Sequence, residues 1–149
     1  MRLSIICALL LLASLAFPEG LWKIAQDHEE AFRRSLLTKD LTWLEKVTAK
    51  GFYGEEQDGT RSSRAKTLAT LRDYLTRRTF LKIEPTLLSV AKQAGGILVR
   101  VRTTLTGEGM PIWPIKVRRT STTLHEEFWR REKEGWKLLW IRQLDPDPQ

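Results

Sequence analysis

Two histidines, His28 and His125, and a glutamate just past the second, Glu127, are the side chains best suited to move a proton in this chain. An imidazole with its ordinary pKa of ~6.5 is neutral and basic near neutral pH, which suits a general base. At the two-residue period of a strand, His125, Glu127 and Trp129 share one face. The segment 124–144 carries three of the six tryptophans and reads as two strands joined by a tight turn. Pairing Glu132 with Gly135 sets Trp129 opposite Leu138, Glu127 opposite Trp140 and His125 opposite Arg142, on a face shared with Trp136. Aromatic walls with a few convergent polar groups suit a ligand pocket. The candidate bases are therefore His28 and His125. The candidate ligand-binding residues are Glu127, Trp129, Trp140 and Arg142, with Tyr53 and Trp113 as lining or lid. The other face of the hairpin, with Leu124, Phe128, Leu139 and Ile141, is free to meet a partner.

The same residues bound the chemistry. His28 is separated from His125 and Glu127 by most of the chain, without the short spacings of a metal site, so no metal is expected. No Gly-rich phosphate loop, nucleophile elbow or pair of catalytic carboxylates stands out, and no cofactor is expected. Arg100 and Arg102 share a strand face, where they could hold an anionic group or face solvent.

The elements that must position these groups change character along the chain. Met1-Arg2, the apolar run Leu3 to Leu12 and Ser14-Leu15-Ala16 form the three-part pattern of a secretory signal, with cleavage expected after Ala16. The run is too short to span a bilayer, which takes ~20 residues. Cleavage would remove Cys7, the single cysteine, and with it any disulfide or thiolate chemistry. The expected location is therefore secreted or periplasmic, with no membrane attachment after cleavage. Lys plus Arg number 25 against 18 Asp plus Glu, a formal +7. The basic residues are dispersed, which argues for a solvated surface and against nucleic acid.

Apolar residues at 21, 25, 32 and 36, with His28 between them, predict an amphipathic helix over 21–37. A short helix follows over 41–48, capped by Asp40, and a third runs from a Ser62 or Ser63 cap to about Arg78. After Thr79 the period becomes that of strands. Phe80 to Lys92 carries Pro85, a mark of an edge position or a bulge. Ala94-Gly95-Gly96 is a hairpin turn, and Ile97 to Leu105 alternates cleanly. Gly107 to Pro114 reads as a loop, Ile115 to Arg131 as a long strand and Trp136 to Leu144 as the last one. Residues 145–149 form a frayed tail. Helices first and antiparallel strands afterwards give an α+β class in a single domain over 17–144.

An N-terminal helix pair, Gly51-Phe52, Asp58-Gly59 before a serine-capped helix, and long hairpins ending in Gly135-Trp136-Lys137-Leu138 together resemble the nuclear-transport-factor-2-like superfamily. The closest flavour is the SnoaL-like and ketosteroid-isomerase-like group. The resemblance covers nearly all of the chain after the leader. It implies a cone of N-terminal helices packed on a curved antiparallel sheet, a pocket between them, and a homodimer formed through the sheet. Ketosteroid-isomerase chemistry needs a carboxylate base and an oxyanion donor. Tyr53 could donate, but Asp27 and Asp73 fall on polar helix faces and Asp58 in a turn. The leading expectation is binding of a small, partly apolar or anionic molecule without catalysis. The alternatives are a cofactor-independent isomerase, dehydratase or hydrolase with a histidine base, and a dimeric protein-interaction module.

Overall fold

The computed structural model describes residues 18–112 and 115–144. The expected leader (1–16), Trp113 and the expected tail (145–149) lie outside the described residues. Helix α1 (Pro18–Thr38) is followed by α2 (Thr42–Val47), β1 (Thr48–Glu55), β2 (Arg61–Ser63) and α3 (Arg64–Arg77). Four long strands complete the chain: β3 (Arg78–Gln93), β4 (Gly96–Ile112), β5 (Ile115–Glu132) and β6 (Gly135–Leu144). Ser63 caps α3 as its sequence position predicts, accepting from the Lys66 amide at 3.3 Å. Asp40 stands one residue further out than a cap and accepts from the Thr42 amide at 3.0 Å.

The sheet has six strands in the order β2-β1-β6-β5-β4-β3. It is mixed where the sequence predicts an antiparallel one, because β1 runs parallel to β6. A strand that follows two helices can enter beside the last strand in either direction, and periodicity carries no information on direction. β3 is the outer strand at one edge, where Pro85 removes no needed donor. β4 does not end in a loop at Gly107. Its pairing with both neighbours continues to Gly109, and the strand itself to Ile112.

The alternation predicted for β4 sets the inner face. Ile97, Val99 and Val101 are at most 1% exposed, and Trp129 and Leu138 lie beside them. Ala25 of α1 and Phe52 of β1 close this cluster. A second cluster joins Leu36 of α1, Leu41, Leu44 of α2, Leu68 and Leu75 of α3 and Ile83 of β3. Each large side chain so buried contributes roughly 1.5–3 kcal/mol. The three helices among the described residues therefore pack on one face of the sheet. No helix among the described residues is long and apolar enough to cross a membrane.

Candidate functional site

The inner row of β5 runs Ser121, Thr123, His125, Glu127, Trp129, paired with Leu105, Thr103, Val101, Val99 and Ile97 of β4. Glu127 is 3% exposed at the centre of this row. Its carboxylate accepts from the Trp129 indole, Nε1 to Oε2 at 2.8 Å, and lies 3.1 Å from His125 Nε2 through Oε1. These contacts follow from local sequence: residues two apart on a strand project to the same side. Burial works to raise the Glu127 carboxyl. The hydrogen bond and electrostatic attraction of His125 and the Trp129 donor outweigh it and hold Glu127 below the usual carboxylate range.

The third member comes from α1. Glu29 is 5% exposed, and a carboxyl oxygen of it lies within 4.8 Å of one of Glu127. Burial first, then the Glu127 charge, push it up to about 10. Two carboxyls this close in a dry site cannot both ionise, so the pair holds one proton, on Glu29. This corrects the expectation that the chain lacks a carboxylate pair. Glu29 was legible in principle, because it stands four residues after Ala25 and seven before Leu36 on the buried stripe of α1.

Ligand atoms of Glu29, His125 and Glu127 all lie within 4.8 Å of one another, the composition and spacing of a cation site. The combination rejected from the sequence, His28 with His125 and Glu127, had His28 in the place of Glu29. As it stands, Glu127 is satisfied by His125 and Trp129.

His28 stacks on Trp129 with ring centroids 3.9 Å apart at 23°, and meets the edge of Trp136 at 6.3 Å. Trp43 adds a third wall, 6.2 Å from Trp129. Burial lowers the His28 pKa and keeps the ring neutral, and its Nδ1 is buried without a hydrogen-bond partner. His28 thus serves as an aromatic plate beside the carboxyl pair, one residue removed from the helix position that reaches Glu127.

The remaining expected site residues divide between the faces. The turn register is as predicted, with Glu132 opposite Gly135 and Trp129 opposite Leu138. Beyond that point Leu139 is an extra residue, and Phe128 pairs with Trp140, Glu127 with Ile141 and His125 with Gln143. The bulge moves Trp140 and Arg142 to the outer face and puts Ile141 on the inner one. Trp140 stacks on Phe128 at 5.9 Å, and Arg142 lies over Trp140 and pairs with Glu55 at 2.8 Å. Tyr53, opposite Trp140 in the parallel pairing, is on the outer face as well, under the Arg61 guanidinium. Tyr53 and Trp140 line an open outer cavity of about 850 Å³. Arg100, also outer, is paired with Glu126 at 2.7 Å.

A second cavity, of about 580 Å³, opens on the inner face. Phe80, Leu105, Arg119 and Ser121 line it. Ser121 is four residues, ~13 Å, from His125 along the same row.

No protein-family profile and no curated sequence matches the chain. Solved structures do. An NTF2-like protein from Cytophaga hutchinsonii superposes with a TM-score of 0.68 at 14% identity, over 83% of this chain and 97% of its own. An NTF2-like protein of Rhodospirillum rubrum gives 0.64 at 22% identity over 81% and 97%, and a ketosteroid isomerase-like protein of Erwinia carotovora 0.63 at 13% over 85% and 95%. The chain therefore has the NTF2-like (nuclear-transport-factor-2-like) α+β fold.

Proposed function

We propose that this NTF2-like domain binds a small, partly apolar molecule between its helices and the inner face of its sheet, and moves a proton on it with Glu29, Glu127 and His125. The observation that carries the reading is the buried pair of Glu29 and Glu127, with carboxyl oxygens within 4.8 Å of each other and Glu127 held by a histidine and an indole, surroundings that favour the neutral form of Glu29 and the ionised form of Glu127. Such a pair offers an acid and a base in one place, with pKa values driven apart by their surroundings. The reaction class is isomerisation, dehydration or hydrolysis without a cofactor. His125, with a side chain 13% exposed, is the member on the solvent side of Glu127 and the one that a ligand meets first. Export after Ala16 is part of the reading, and N-terminal sequencing of the processed protein tests it.

A ligand screen by thermal shift and native mass spectrometry, followed by incubation of each binder in D2O, tests the proposal. The expected result is deuterium uptake, or gain or loss of water, that disappears in Glu127→Gln. A binder left chemically unchanged would remove catalysis and leave binding.

A second reading concerns the outer face. Phe128 and Trp140 stack there, half-buried, while the three helices among the described residues pack on the inner side. We read this face as the contact of a homodimer. Native mass spectrometry of Trp140→Glu should show monomer where the wild type shows dimer.

A further inference from the structure

The inner cavity is formed by an absence of side chains. Gly107 and Gly109 occupy two inner-row positions of β4, opposite Phe80 and Arg78 of β3 and opposite Arg119 and Val117 of β5. A Cβ at position 109 would stand 3.1 Å from Arg78 Cγ, and one at 107 would stand 3.3 Å from the Thr79 carbonyl oxygen. The space and the placing of Arg78 both depend on these glycines.

The charges around it are unbalanced. Arg77, Arg78, Arg119 and Glu108 line the cavity. Glu108 is taken by Arg118, at 2.9 Å, and Arg77 pairs with Asp73. Arg78 lies 5.0 Å above the Tyr74 ring and donates to its hydroxyl at 3.4 Å, contacts that hold the guanidinium without neutralising it. Arg119 has no carboxylate partner among the described residues. Two net positive charges therefore face a recess whose other walls are Phe80, stacked on Tyr74 at 5.6 Å, Leu105 and Val117.

We infer that this recess seats the carboxylate head of an amphiphilic small molecule between Arg78 and Arg119, over Gly107 and Gly109, with the apolar part running along Phe80 and Leu105 into the interior. The inference rests on the ligand-binding reading above and names its substrate class. The cavity volume, about 580 Å³, is in the range of small-molecule sites. A guanidinium fork is the donor that best matches a carboxylate.

Isothermal titration of the full chain with sodium octanoate and with octanamide tests it. Octanoate is expected to bind at least about tenfold more tightly than the neutral amide, the worth of one charge-assisted hydrogen bond. Raising the salt should weaken octanoate and leave octanamide unchanged. Arg119→Ala and Arg78→Ala, exposed changes that leave the core intact, should each reduce octanoate binding about tenfold, and Gly109→Val should abolish it. Equal binding of the two probes, with no effect of either arginine variant, overturns the anion seat while the ligand-binding reading stands. Binding of neither probe overturns it as well, and the broader ligand screen then decides that reading separately.

Discussion

The two faces of the final hairpin have similar amounts of aromatic and charged material and use it in opposite ways. On the inner face Trp129, Glu127 and His125 meet α1, and a tryptophan, two glutamates and two imidazoles become one buried group with a single shared proton. On the outer face Phe128, Trp140, Arg142 and Glu126 meet no helix among the described residues, and the same residue types form a ring stack and solvent-side ion pairs with Glu55 and Arg100. Composition is nearly equal, and burial decides the chemistry. A carboxylate next to an arginine at the surface is an ordinary ion pair. A carboxylate facing another in a dry interior must give up a charge.

The largest expected effect lies at the buried centre of the inner face. Trp129→Ala should cost about 3–5 kcal/mol in denaturant unfolding, since it empties the centre of the inner cluster and strips Glu127 of a donor. An outer Trp140→Ala should cost visibly less. If the two cost the same, burial does not distinguish the faces.

Glu29→Gln sharpens the contrast through pH. Folding raises the Glu29 pKa from 4.5 to about 10, so the folded chain holds a proton that the unfolded chain has released across that window. Stability from this group is complete below about 4.5 and falls as pH rises toward about 10. The facing groups are Glu127 and, around it, His125, His28 and Asp27. The amide mimics the protonated acid. The variant should match wild type near pH 4.5 and exceed it increasingly above, by at most about 1.4 kcal/mol per pH unit. Melting temperatures across pH that stay parallel would mean the pair does not share a proton. The smallest effect is the Phe128–Trp140 coupling, about 0.5–1.5 kcal/mol in a double-mutant cycle.

Much of the fold was legible in the residues. The 25/32/36 stripe predicted α1, Ser63 the start of α3, Pro85 an edge position or a bulge, and 97/99/101 the inner face of β4. These are signals of a local period, and burying one face requires them. Within the site, His125, Glu127 and Trp129 were found because their spacing alone puts them together. Glu29 was missed because a glutamate on an apolar stripe looks like a polar neighbour of His28 until the facing strand supplies a second carboxyl.

The sequence by itself determined the order of the helices and of the long strands, the inner rows of β4 and β5 and the hairpin turn, because each depends on neighbours within a few residues. Only the tertiary structure decided the parallel entry of β1, the bulge that took Trp140 and Arg142 from the inner face, and the meeting of Glu29 with Glu127. These depend on residues tens of positions apart. The Glu29 proton exists only because packing removes the water that would have let both carboxyls ionise.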